Sequence, residues 1–298
     1  MRRRTVVALI AGALIAPAPT GLASPVYMRG FVGRLDWKGD DPSFGGFSGI
    51  ELDADGAGFV ALSDRGAVVT GRFSRDAGGR ITAVTAARPV ALALPTGPVA
   101  EDFRFDTEGL AQAADGSLYV SCEYLTRVLH YANPDATPDV LPIPREFVGM
   151  DQNGGPESLA IATDGTLYTM PEVTLRTDGT TPVYRFQGGR WDQPFRMAGG
   201  SGFLPVGSDI GPDGQLYVLE RQFRGLGGFA SRVRRMSVHA TGVAQAETLL
   251  ETASGTFGNL EGIAVWRDAV GSLRLTMVSD DNFLAVLGTE IVEFRVPD

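Results

Sequence analysis

Little in this sequence can supply thiol or imidazole chemistry: the 298 residues include one cysteine, Cys122, and two histidines, His130 and His239. A single thiol excludes an intramolecular disulfide. Its place at the end of the apolar run Leu118–Cys122 predicts a buried strand residue acting as a small hydrophobe. Serine esterase chemistry needs a nucleophile and normally a histidine base, yet there is no Gly-x-Ser-x-Gly elbow and no His-Glu-x-x-His zinc motif. His130 and His239 fall in strand-like runs away from the motifs described below and read as surface or packing residues. Excess positive charge is also missing. The formal charge is −9, and −12 once Arg2, Arg3 and Arg4 are removed, which argues against a nucleic-acid partner.

No apolar run reaches the roughly 20 residues that a membrane span needs. The run from Val6 to Ala16 follows three arginines and precedes a small-residue stretch ending near Ala23, the pattern of a cleaved export signal over residues 1–23. Arg3-Arg4-Thr5-Val6-Val7 also admits the twin-arginine route. The expected product is a periplasmic or secreted monomer, one domain over 24–298 without a membrane span.

What the chain has in quantity is repetition. Glu108-Gly-Leu-Ala, Asp115-Gly-Ser-Leu-Tyr119 and Glu123 recur 49 residues later as Glu157-Ser-Leu-Ala, Asp164-Gly-Thr-Leu-Tyr168 and Glu172. Weaker copies begin near Ser48, Val206 and Glu261. Each copy reads as an apolar strand, an Asp-Gly turn and an alternating strand, the strongest short-range hairpin signal; two further strand-like runs follow in most copies. Four strands per copy and five copies predict an all-β propeller of five blades, six if one is hidden between residues 66 and 106. The last copy supplies three strands of its own. The unassigned strand from Tyr27 to Trp37 is expected to complete it and close the ring.

The hairpin turn sets where the acids go. The start of the first strand and the end of the second lie at the end opposite the turn, so Glu108, Glu157 and Glu261 are expected around the channel mouth. Asp64, Glu123, Glu172, Glu220, Asp280 and Asp281 should form a second circle outside them. Ser48 and Val206 stand where the other copies have glutamate, an inequality expected of a site rather than of a packing device. Arginines accompany the acids, with Arg65, Arg145, Arg221, Arg224 and Arg232 as candidates for holding an anion and the rest suited to salt bridges. Arg232 and Arg234 share one strand face, and Arg235 takes the other.

Ser63-Asp64-Arg65, Glu108-Gly-Leu-Ala, Ser121-Cys-Glu123-Tyr124, Pro156-Glu157-Ser-Leu-Ala, Leu219-Glu220-Arg221, Phe229-Ala-Ser-Arg232-Val-Arg-Arg and Val278-Ser-Asp-Asp-Asn282-Phe283 occur in that order. Together they resemble the phytase-like family named for the esterase-like activity of phytase, from about Phe31 to the C-terminus. The resemblance implies an exported β-propeller suspected of phosphoester hydrolysis. Pro205-Val206-Gly207-Ser208-Asp209 departs from the glutamate-bearing pattern at the fourth copy and leaves open whether Asp209 replaces that acid.

Many carboxylates with Asn282 and backbone carbonyls suit a hard divalent cation, calcium being expected. The leading reading is metal-assisted hydrolysis of a phosphomonoester or phosphodiester. In it Glu108, Glu157, Glu261, Arg65 and Arg221 are catalytic, and Arg145, Arg224, Arg232 and Asn282 bind the substrate. Asp64, Glu123, Glu172, Glu220, Asp280 and Asp281 ligate the metal. A calcium-dependent hydrolase of lactones or carboxylic esters, and a non-catalytic platform for an anionic ligand or a protein, use the same residues and stay open.

Overall fold

Strand β1 (Phe31–Trp37) leaves the N-terminal side of the chain and pairs antiparallel with the last strand, Leu35 opposite Ile291 and Trp37 opposite Thr289. The computed structural model describes residues 29–95, 106–123, 126–149, 155–172, 178–284 and 287–297; the expected leader over 1–23 lies outside them. Blade 1 comprises β2 (Phe47–Leu52), β3 (Gly58–Ser63), β4 (Ala67–Arg75) and β5 (Ile81–Ala86), with the short β6 (Val90–Ala91) also on β4. Blade 2 is β7 (Thr107–Gln112), β8 (Leu118–Cys122), β9 (Arg127–Tyr131) and β10 (Asp139–Val140). Blade 3 is β11 (Pro156–Ile161), β12 (Leu167–Pro171), β13 (Thr180–Gln187) and β14 (Arg190–Ala198). Blade 4 is β15 (Leu204–Ile210), β16 (Gln215–Phe223), β17 (Phe229–Ser237) and β19 (Glu247–Glu251); β18 (Gly242–Ala244) lies parallel on the outer strand of blade 3. Blade 5 is β20 (Asn259–Arg267), β21 (Leu273–Asp280) and β22 (Thr289–Arg295), completed by β1.

The protein is a five-bladed propeller, as the repeat predicts. The stretch that left room for a sixth blade instead supplies β4, β5 and β6, outer strands of blade 1. Among the described residues there is no α-helix, and none is long and apolar enough to cross a membrane.

The Asp-Gly turns form as the sequence dictates. Asp115 Oδ1 accepts from Ser117 N at 3.0 Å and Asp164 Oδ1 from Thr166 N at 3.0 Å, while Gly116 and Gly165 take φ of 87° and 83°.

Alternating apolar residues then pack between neighbouring blades, one cluster for each interface. The largest joins blades 4 and 5 through residues such as Tyr217, Leu260, Met277 and Phe294. Among the described residues, the smallest joins blades 2 and 3 and has Ala111, Val128, Leu159 and Leu167 as its fully buried members. At the closure, Trp37 stacks on Phe47 with centroids 4.6 Å apart, and Arg75 of blade 1 reaches Glu293 of blade 5 at 2.7 Å.

One irregularity repeats five times and builds the mouth. Every inner strand carries a β-bulge opposite the end of its partner, where register shifts between Phe47 and Gly49, Thr107 and Leu110, Pro156 and Ser158, Pro205 and Gly207, and Leu260 and Gly262. Bulges re-aim side chains. Those released here are Ser48, Glu108, Glu157, Val206 and Glu261. The next residue is small in every blade because the inner strands meet at the axis. A Cβ on Gly207 would stand 2.2 Å from the Glu261 carbonyl oxygen, and one on Gly262 would stand 2.9 Å from the Ile50 nitrogen.

Candidate functional site

The bulges give each blade three positions at one end of the channel. Innermost are Ser48, Glu108, Glu157, Val206 and Glu261. At the ends of the second strands stand Asp64, Glu123, Glu172, Arg221 and Asp280. Paired with these on the first strands or just before them are Gly46, Asp106, Gly155, Leu204 and Asn259, as the ladder pairs of Arg221 with Leu204 and Asp280 with Asn259 show. Backbone bonds from Asp64 to Gly46 at 2.7 Å and from Glu123 to Asp106 at 2.8 Å continue the pattern.

Seven carboxylates predicted from the repeat therefore meet around one mouth: Asp64, Glu108, Glu123, Glu157, Glu172, Glu261 and Asp280. Oxygens of Asp106, Glu108 and Glu123 lie within 4.8 Å of one another, and so do those of Glu123, Glu157 and Glu172. Burial pushes the carboxyl groups of Glu108 and Glu157 well above the usual range, and their acidic neighbours push them further. Asp64 is raised to about 6 by burial and by Asp280, and Glu261 to about 8 by burial against the opposing pull of Arg221.

Arg221 inserts a cation into the circle. Its Nη2 donates to Glu172 at 2.9 Å, and its Nη1 donates to Asn259 at 2.8 Å and to Glu261. Asn259 Nδ2 also donates to Glu261 at 2.7 Å. Burial pulls the Arg221 guanidinium down, but Glu261 and Glu172 outweigh it and hold the pKa above its ordinary value. Blade 4 thus presents a guanidinium and an apolar Val206 where the other blades present acids or serine.

Three expectations need correction. Glu220 does not belong to the circle: it sits in register with Pro205 and points to the opposite face of β16, where it is 1% exposed. There its two oxygens accept four hydrogen bonds, from Arg232 Nε at 2.7 Å and Nη2 at 3.1 Å and from Arg234 Nε at 2.7 Å and Nη2 at 2.6 Å. Arg232 is accordingly a buried partner of Glu220, stacked over Phe203, rather than a substrate contact. Asp281 faces the loop before β2, accepting from Gly46 N at 2.9 Å, Phe283 N at 3.0 Å and Thr289 Oγ1 at 3.2 Å.

The remaining candidates lie at the edge. Arg65 is exposed and places its guanidinium 3.2 Å above the Phe283 ring, tying blade 1 to the last turn of blade 5. Asn282 is exposed at φ 50°, and its amide N–H donates to Asp280 Oδ1 at 2.6 Å. Arg224 is exposed beyond the end of β16, with Nε on Gln222 at 2.8 Å. Arg145 is exposed in the loop ahead of a 3-10 turn at Phe147–Gly149.

Asp106 and Asn259 are the site residues that the repeat reading missed. The signal was present, since each lies two residues before a ring glutamate. Cys122 is buried, as expected, and burial pushes its thiol up to about 12. His130 stacks on Tyr119 at 4.6 Å, next to the Asp-Gly turn at the far end of the blade.

The family model for the esterase-like activity of phytase, phytase-like, matches residues 42–283. The chain belongs to this family. The matched span of this phytase-like chain contains every ring position in all five blades. No curated protein matches it. Solved structures resemble it in fold at low identity. A protein of unknown function from Dyadobacter fermentans is 13% identical with a TM-score of 0.48, over 88% of this chain and 86% of that one. The PQQ-bound aldose sugar dehydrogenase of Streptomyces coelicolor is 12% identical with a TM-score of 0.47, over 89% and 98%. A gluconolactonase of Xanthomonas campestris is 15% identical with a TM-score of 0.45, over 83% and 72%.

Proposed function

We propose that this phytase-like propeller is an exported, monomeric hydrolase of phosphoric esters that works with a divalent cation at the acidic mouth. The observation that carries this reading is the convergence of Glu123, Glu157 and Glu172, from two blades, within 4.8 Å, with Arg221 fixed on Glu172. Carboxylates packed this closely repel unless they are protonated or share a cation. An all-oxygen donor set matches calcium or magnesium, and the buried Glu123 Oε1 has no hydrogen-bond partner among the described residues.

When bound, the cation would polarise the phosphoryl oxygen and lower the pKa of a coordinated water. The protein's own groups provide the rest. Arg221, held in place by three acceptors, offers positive charge to an anionic ester at the blade 4 side of the mouth. Glu261 stands outside both triads and is raised to about 8, so it can hold and return a proton near neutral pH. Arg65 lies at the mouth's outer edge, where it can meet a substrate anion.

Activity toward p-nitrophenyl phosphate, bis-p-nitrophenyl phosphate, a carboxylic ester and a lactone, with and without EDTA, tests the proposal. EDTA-sensitive turnover of a phosphate ester is expected. Turnover of the lactone or carboxylic ester alone would replace the substrate class. Cation binding without any turnover would make the mouth a binding platform.

A further inference from the structure

Glu123 occupies a position that no other ring residue shares. It ends the second strand of blade 2, where its amide bonds Asp106 O at 2.8 Å, and it lies against the loop entering blade 3. The fit to that loop is close. A Cβ on Gly155 would stand 3.0 Å from Glu123 Cα and 3.1 Å from its Cγ, so the glycine lets blade 3 approach. One carboxylate consequently faces Asp106 and Glu108 on its own blade and Glu157 and Glu172 on the next, and it is common to both triads.

A group of acids alone would be no evidence for a ligand. The independent observation is Glu123 itself: it is 8% exposed, and its Oε1 is buried without a hydrogen-bond partner among the described residues. A buried, unpartnered carboxylate oxygen costs several kcal/mol unless the group is protonated or a cation reaches it. Arg221 donates to Glu172 and Glu261.

We infer that the mouth holds two divalent cations bridged by the Glu123 carboxylate, one completed by Asp106 and Glu108 and the other by Glu157 and Glu172. The inference rests on the cation-dependent reading above and adds ion number and the bridging residue to it. It also assigns the pair a structural effect. The second ion would join blade 2 to blade 3 where the apolar cluster between blades is smallest, so loading should stabilise the ring as well as fill the site.

Titration calorimetry with Ca²⁺, and electron paramagnetic resonance with Mn²⁺, on the full chain test this. Two ions per chain are expected, with a spin-coupled manganese signal emerging at the second equivalent. Asp106→Asn should reduce the count to one and remove the coupled signal, and Glu157→Gln should do the same from the other side. Glu123→Gln should weaken both sites at least tenfold. Asp115→Asn, at the turn on the far end of the blade, should keep two. A count of one in the wild type, with hydrolysis intact, would overturn the bridged pair and leave the proposed function standing. No binding would overturn both. Two coupled ions without hydrolysis of any ester would uphold the pair and overturn the proposed function.

Discussion

Arg221 bridges Glu172 and Glu261, donating to the first at 2.9 Å from Nη2 and to the second from Nη1. It thereby links the end of the second strand of blade 3 to the first strand of blade 5 across blade 4, which has no acid of its own in the circle. The guanidinium is an internal counter-ion fixed where a fifth group of acids would otherwise face the mouth.

Replacing Arg221 with Gln leaves Glu172 and Glu261 facing each other without it. Removing one partner of a buried ion pair costs roughly 3–5 kcal/mol; with the Arg221 side chain 23% exposed, about 2 kcal/mol is the expected loss at pH 8. Thermal melts should show the loss shrinking when Ca²⁺ is added, because an ion can take the vacated charge position. An unchanged melting temperature at pH 8 would show that Arg221 does not neutralise the ring.

Glu220→Gln separates packing from function. The Glu220 carboxylate lies on the other face of β16 between Arg232 and Arg234, so the variant should lose roughly 3–5 kcal/mol of stability. Its cation affinity, measured below the lowered melting temperature, should match the wild type. A large loss of cation affinity with unchanged stability would return Glu220 to the site.

The contrast between these neighbours shows what the sequence could and could not reveal. Glu123 and Glu172 each lie eight residues after the aspartate of their turn, and so does Arg221 after Asp213; Glu220 lies seven after it. Side chains alternate along a strand, so a shift of one residue moves a group to the other face. Reading for acids selected Glu220, whereas reading for spacing selects Arg221. The five blades and their closure were legible because Asp-Gly turns and alternation are local signals. Whether an acid is free or taken was not legible, because Arg232, Phe203 and the loop held by Asp281 come from parts of the chain that only folding brings together.

Closure predicts a severe truncation phenotype. Deleting residues 25 to 37 removes β1, strips the outer edge of β22 and takes Trp37 from its stack on Phe47. Loss of a buried tryptophan alone costs about 3–5 kcal/mol, and an unpaired edge invites association. Size-exclusion chromatography should show aggregates or a strongly lowered melting temperature; a monomer melting with the full-length chain would contradict the role of β1 in the ring.

The last prediction concerns two carboxyl groups deeper in the channel, away from the mouth. Glu51 and Asp209 stand three residues past the bulges of blades 1 and 4, at the level occupied by Ala111, Ala160 and Ala264 elsewhere. Each fastens its inner strand to the next blade, Asp209 Oδ2 accepting from Val265 N at 2.6 Å and Glu51 Oε1 from Gln112 N at 3.3 Å. Burial raises Asp209 to about 7, and burial with the nearby Asp209 charge raises Glu51 well above its ordinary value. A carboxyl group whose pKa is higher folded than unfolded binds more protons in the native state. Its contribution to stability is therefore complete below the unfolded value near 4 and is lost as pH rises through about 7. Asp209→Asn keeps an acceptor oxygen for Val265 N and cannot ionise. It should melt with the wild type at pH 4.5 and be more stable at pH 8 by roughly 1–3 kcal/mol, a few degrees for a chain of this size. Melts in EDTA across pH 4.5–8.5 isolate this effect from the cation at the mouth. A parallel pH dependence for the two proteins would mean that Asp209 is already ionised in the folded channel and that its backbone bonds from Val265 and Ile210 are enough to hold its charge there.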